Sequence, residues 1–130
     1  CHRFFIGTKT KGEILPRAEI KTLQKQVFYS TEDGSYGAKG YVTKLLEEFL
    51  KKEKGKSKDY FIQTCGPNGM MRRVMEIAED YEVEGEASWD ERMACGMGAC
   101  LGCMVLTKKG WTPSCTEGPD FRFDEMGGKW

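Results

Sequence analysis

The sequence predicts an α/β fold: a partial parallel sheet with covering helices, followed by a small lobe of short β segments gathered around cysteines. Apolar runs rich in β-branched and aromatic residues, at Phe4–Ile6, Val27–Ser30 and Tyr60–Thr64, alternate with stretches of helical period. Strand–helix alternation of this kind builds parallel sheets with right-handed crossovers. Near residue 86 the periodicity gives way to short segments broken by Gly and Cys. These observations divide the chain into an α/β part over residues 1–85 and a cysteine-bearing part over 86–130.

Each element has its own signal. Phe4-Phe-Ile6, closed by Gly7, reads as a short buried strand. A helix is expected near Pro16, since proline is tolerated in a first turn, with Ile20 and Leu23 on its apolar face. Val27–Ser30 is the second strand, and Thr31-Glu-Asp-Gly-Ser-Tyr-Gly37 is a loop by its Asp-Gly and Gly content. Tyr41, Val42, Leu45, Leu46, Phe49 and Leu50 recur at helical spacing, giving an amphipathic helix over about 39–53. Lys54–Lys58 is a solvated turn. The third strand, Tyr60–Thr64, runs into Cys65-Gly66-Pro67. Pro67 or Asn68 then opens a helix with Met70, Met71, Val74, Ile77, Ala78 and Tyr81 on one face. Ala87–Trp89 and Met104–Leu106 are small β pieces. The chain starts at Cys1 and enters an apolar run at once, as a fragment of a longer protein would.

Composition narrows the function. The 20 basic and 20 acidic residues cancel, so no global field points to nucleic acid or an anionic membrane. No apolar run approaches the roughly 18 residues of a membrane span. His2 is the only histidine, which leaves nothing to build a Ser–His or Cys–His hydrolytic site, and no catalytic residue is assigned. Met70, Met71 and Met75 read as helix packing rather than cofactor ligands.

The chemistry is concentrated in Cys95-Gly-Met-Gly-Ala-Cys100-Leu-Gly-Cys103, followed by Cys115. C-x4-C-x2-C with one distant cysteine is the ligand spacing of a plant-type [2Fe–2S] cluster. A two-iron core needs four thiolates and a loop wrapped around it. Gly96, Gly98, Ala99 and Gly102 leave room for that wrap, and glycine permits left-handed turns that aim backbone N–H groups at sulfur. Met97, Leu101 and Met104 are expected to screen the cluster from water. Trp111 and Trp130 either shield it or meet a partner. Zinc held by four cysteines usually takes two close pairs, and disulfides need a looser loop; both stand as alternatives to the cluster. Six cysteines, four of them assigned to a cluster, imply a reducing cytoplasm.

Two loops beyond strand ends are candidate ligand sites, because open parallel sheets bind ligands past their carboxyl edges. At Cys65-Gly66-Pro67, Gly66 would let a planar ring or phosphate approach the backbone; the alternative is a tight turn with a buried Cys. At Thr31–Ser35, Asp33 either bonds a ribose hydroxyl or caps its own turn.

Several stretches, in order, carry a family resemblance: Thr31-Glu-Asp-Gly-Ser-Tyr-Gly-Ala-Lys-Gly-Tyr-Val-Thr43, Cys65-Gly-Pro-Asn-Gly-Met70, Arg92-Met-Ala-Cys-Gly-Met-Gly-Ala-Cys-Leu-Gly-Cys103 and Cys115-Thr-Glu-Gly-Pro-Asp-Phe121. The chain resembles the C-terminal half of the electron-transfer subunit of type B dihydroorotate dehydrogenase, in the ferredoxin-NADP reductase superfamily. The resemblance implies the C-terminal part of a ferredoxin-reductase-like NAD-binding domain over 1–85 and a [2Fe–2S] domain over 86–130. It implies FAD and NAD as cofactors of the full-length protein, and an FMN-containing catalytic subunit as partner in a heterotetramer. It also implies that Cys95, Cys100, Cys103 and Cys115 bind the cluster. Cys65, Gly66 and Pro67 would then lie near the nicotinamide, and Asp33 and Gly34 near the NAD ribose or phosphates. The role implied is electron relay between that subunit and FAD/NAD in pyrimidine biosynthesis.

The FAD-carrying barrel of the family has no counterpart in these 130 residues, nor has the Gly-rich turn after the first strand. The 130 residues alone are therefore expected to hold a cluster but no flavin, and to be inactive towards NADH. Subunits of ferredoxin:NADP reductase, sulfite reductase or hydrogenase type are the nearest rivals, and a zinc-stabilised interaction module is the rival from another class. Some of those relatives carry aspartate at the first cluster position, so Cys95 favours the dihydroorotate branch.

Overall fold

The computed structural model describes residues 2–14, 27–53 and 59–127. Cys1, the helix expected near Pro16 with Ile20 and Leu23, the turn at 54–58 and Trp130 lie outside the described residues. The chain is mixed α/β and forms two compact units, Cys1–Glu53 and Lys54–Trp130.

The first unit holds strands β1 (Phe4–Thr8), β2 (Val27–Thr31) and β3 (Ala38–Lys39) and helix α1 (Val42–Lys52). β1 and β2 pair in parallel, Phe4 opposite Val27 through Thr8 opposite Thr31, and β3 adds a short parallel edge. Aromatic residues fix α1 on this sheet: Phe5 stacks on Phe28 at 5.1 Å, and Phe49 from α1 lies 5.4 Å from Phe5 and 6.3 Å from Phe28. Such ring pairs add to the area they bury. Leu46 and Leu50 complete the buried face of α1, while Tyr41 stands exposed before its first turn rather than on that face.

The second unit holds β4 (Phe61–Cys65), α2 (Asn68–Asp80), β5 (Glu84–Ser88), β6 (Met104–Thr107), β7 (Gly110–Pro113), the single turn α3 (Ser114–Glu117) and β8 (Asp120–Arg122). β4, α2 and β5 make a strand–helix–strand unit, with Phe61 opposite Glu84 and Cys65 opposite Ser88 in parallel. α2 buries Met71, Val74, Ile77 and Ala78, as its spacing predicts. Burying the Met, Val and Ile side chains stabilises by about 1.5–3 kcal/mol each as an upper bound. β6 and β7 form an antiparallel hairpin, Met104 opposite Pro113. The core is Met71, Ala87, Trp89, Val105, Phe121 and Met126, so α2, β5 and the hairpin share one apolar centre.

One expectation changes here. The third expected strand pairs with β5, in a sheet ordered β4-β5-β8 that is separate, among the described residues, from the sheet of the first two. β8, from the far side of the cysteine loop, pairs antiparallel with β5, Ala87 opposite Phe121, and ties residues 61–88 to the cysteine-bearing part of the chain. Antiparallel pairing over such a sequence distance leaves no local signal in a chain.

Candidate metal centre

The cysteine loop leaves β5 at Ser88 and returns at β6, and the hairpin then brings the chain back to Cys115 at the start of α3. Ladder pairing continues one residue past β6 and β7: the Ser114 N–H donates to the Cys103 carbonyl at 2.9 Å. Cys103 and Cys115 are thereby neighbours because of hairpin register, not sequence spacing. Within the loop, Gly96 and Gly98 take left-handed φ values of +69° and +78°, as a tight wrap requires. Leu101 is also left-handed, at φ +56°, whereas Gly102 is not among the positive-φ residues. Non-glycine residues rarely adopt this conformation, and they concentrate at functional sites.

Backbone donors surround the sulfurs. The Cys100 N–H lies 3.4 Å from Cys95 Sγ. The N–H of Met97 first, then that of Cys100, the Cys100 thiol and the N–H of Ala99 hold the Cys95 thiol down at about 6. The N–H of Cys115 and then its thiol lower Cys103, against the effect of burial. Cys115 is pushed up, chiefly by the Cys103 thiol and then by burial, with the Gly98 N–H opposing. Stabilising thiolates with N–H donors is the chemistry a thiolate–iron site needs.

The candidate ligands act on one another: Cys100 on Cys95, Cys103 and Cys115 on each other, and Cys95 on Cys115. Among the described residues no three His, Cys, Asp or Glu side chains gather as one ion would require. All-thiol donors are soft, suiting an iron–sulfur core or zinc. Cys103 is buried, Cys95 and Cys115 are partly exposed, and Cys100 is exposed. Met97 and Leu101 do not screen the site as expected: they are 74% and 64% exposed, and Trp111 is 66% exposed, with only Met104 half-buried. The loop is short and its backbone turns inward, so its larger side chains are left outside.

The nucleotide candidates lie elsewhere. Asp33 and Gly34 follow β2 in the first unit, while Cys65, Gly66 and Pro67 end β4 and open α2 in the second. Asp33 Oδ1 accepts from the Ser35 N–H at 2.9 Å and the Ser35 hydroxyl at 2.6 Å, which lowers its pKa. That is the turn-capping reading of Asp33. Cys65 is exposed, contrary to the buried Cys of the alternative reading, and Gly66 has φ +151°. A Cβ at Gly66 would meet only the mobile end of the Met70 side chain, at 2.8 Å from Cε, so it is the positive φ that favours glycine there. The Pro67 carbonyl accepts from the N–H groups of Met70 and Met71, at 2.9 and 3.1 Å.

Sequence reasoning overlooked two features: the left-handed Leu101 and the buried Ser114 beside Cys115. Position next to a ligand at a strand end was the only signal for Ser114.

Residues 90–127 match the family model described as the iron-sulfur cluster binding domain of dihydroorotate dehydrogenase B. The dihydroorotate dehydrogenase B (NAD(+)) electron transfer subunit of Clostridium acetobutylicum is 38% identical over 124 residues, which are 95% of this chain and 46% of that protein. An electron transfer subunit homolog from Aquifex aeolicus is 39% identical over 82% of this chain and 41% of its own length. A probable subunit from Methanocaldococcus jannaschii is 36% identical over 93% of this chain and 44% of its own. The chain spans somewhat under half the length of these relatives. A solved structure of an NADH-dependent reduced ferredoxin-NADP oxidoreductase, described for flavin-based electron bifurcation, matches with TM-score 0.71 and 26% identity, over 93% of this chain and 42% of that one. No helix among the described residues is long and apolar enough to cross a membrane.

Proposed function

We propose that this chain, a relative of the electron transfer subunits of dihydroorotate dehydrogenase B, serves in such a subunit, relaying electrons through a [2Fe–2S] cluster held by Cys95, Cys100, Cys103 and Cys115. The observation that carries this reading is the set of four cysteines at C-x4-C-x2-C spacing with Cys115 returned beside Cys103 by the hairpin, and the Cys100 N–H donated to Cys95 Sγ. A cluster bound there would supply one-electron transfer, which flavins can match and nicotinamide cannot. The protein's own part is to hold the thiolates ionised, bury the Cys103 side and leave the Cys100 side open. That open side is where a partner would approach closely.

In the full protein the electrons would pass between an FMN-containing catalytic subunit, in a heterotetramer, and FAD and NAD, in cytoplasmic pyrimidine synthesis. Residues 86–130 would form the cluster domain, and 1–85 part of the NAD-binding domain. Cys65, Gly66 and Pro67 would face the nicotinamide, and Asp33 and Gly34 the ribose or phosphates. The placement of both loops at carboxyl ends of parallel strands supports this. The 130 residues alone would not oxidise NADH. The neighbour solved as a ferredoxin-NADP oxidoreductase keeps a subunit of that kind as a second reading.

The test is an anaerobic visible spectrum with iron, zinc and acid-labile sulfide assays. About two iron and two sulfide per chain, bleached by dithionite, are expected for this cluster type. A colourless protein with one zinc would overturn the reading. Capture of an FMN-containing subunit would select the dihydroorotate branch over the ferredoxin one. Copurified FAD with NADH-driven dye reduction would refute the inactivity of the isolated chain.

A further inference from the structure

Ser114 is fully buried, and its hydroxyl has no hydrogen-bond partner among the described residues. Buried hydroxyls are nearly always paired, because an unmet donor in the interior is destabilising. The residue neighbours both cysteines: Ser114 precedes Cys115 in sequence, and its N–H donates to the Cys103 carbonyl at 2.9 Å. Cys103 is itself 2% exposed, so water does not compete for its sulfur. Alanine would serve as well if the position needed only a small residue opening α3.

We propose that the Ser114 hydroxyl donates its hydrogen to the sulfur of Cys103 within the bound cluster and thereby raises the cluster's reduction potential. The inference rests on the cluster reading above. Reduction adds negative charge that spreads onto the cysteine sulfurs, so a fixed O–H donor beside one of them favours the reduced state. Low dielectric strengthens the effect at a buried sulfur. Ser114 is thus a positioning and tuning residue rather than a ligand.

The experiment is a redox titration of the cluster-loaded protein, followed by visible absorption, on wild type, Ser114→Ala and Ser114→Thr. Ser114→Ala should keep its iron and sulfide but become harder to reduce. The reduction equilibrium should fall about tenfold, equivalent to about 59 mV for one electron. Ser114→Thr, which keeps the hydroxyl, should stay close to wild type. A loaded Ser114→Ala with an unmoved potential, or a Ser114→Thr that falls as far, overturns the proposal while leaving the cluster reading intact. Wild-type protein without iron and sulfide would sink the cluster reading, and the proposal with it. Should Ser114→Ala lose its iron, Ser114→Thr and Ser114→Val decide, since they share a shape and differ in the hydroxyl. A higher potential or better iron retention in the threonine variant supports the proposal, and equal behaviour overturns it.

Discussion

The loop after β2 and the loop before β6 are both tight and rich in glycine, yet they are held in different ways. In the first, Thr31 Oγ1 donates to the Tyr36 carbonyl at 2.8 Å and accepts from its N–H at 3.0 Å, and Asp33 accepts twice from Ser35. Its polar groups meet one another. In the second, the N–H groups are directed at thiol sulfur, Leu101 is left-handed, and Met97 and Leu101 face outward. Thiols accept hydrogen bonds weakly and thiolates well, so the donors of this loop are best met when its cysteines are ionised, as they are when they bind a metal. One loop carries its own cross-links; the other is shaped for an occupant.

The contrast breaks most visibly if the occupant's ligands are removed. Cys103→Ser should lower iron and sulfide from about two each towards zero and abolish the visible bands. It should leave amide exchange in the Thr31–Gly37 loop unchanged. Retention of a full iron complement would show that Cys103 is not a ligand. Smaller is the effect of conformational strain inside the cysteine loop. Gly98→Ala forces an L-residue into φ +78°, at about 1–2 kcal/mol, although its Cβ would meet nothing closer than 3.6 Å. Gly102→Ala adds a Cβ with ordinary contacts from 3.5 Å outward and no positive φ, so it should cost under about 0.5 kcal/mol. Chemical denaturation of the loaded protein measures both. Equal losses would mean that crowding, not backbone conformation, governs the wrap.

The two loops also differed in how far the sequence revealed them. Spacing alone identified Cys95, Cys100, Cys103 and Cys115 as candidates, because a multinuclear site imposes short, rigid intervals on its ligands. The helices at 42–52 and 68–80 were legible for a related reason: their apolar residues follow one period and bury one face. What the sequence hid depends on distant pairing. The union of β5 with β8 is set by Ala87 meeting Phe121, and neither residue marks the other. The outward stance of Met97 and Leu101 was missed because apolar character predicts burial only where backbone direction allows it. Asp33 was ambiguous for a local reason: Asp-Gly-Ser closes a turn with or without a ribose.

Asp33→Ala is expected to have the smallest effect and sharpens the comparison from the other side. Losing the carboxylate removes both acceptor contacts to Ser35, so amide exchange at Ser35 should quicken. The bonds from Thr31 to Tyr36 remain, and they keep the rest of the loop closed. The hydrogen bonds from Ser35 hold the Asp33 carboxyl below its ordinary value. A depressed folded pKa means the contribution is whole above the unfolded value and is lost only as pH falls through the folded one. Wild-type and Asp33→Ala exchange rates at Ser35 should therefore differ at neutral pH and converge in acid below the usual carboxylate range. The visible spectrum of the loaded protein should be the same in both. Convergence at neutral pH, or a bleached cluster in the variant, would show that the first loop is not the self-sufficient one.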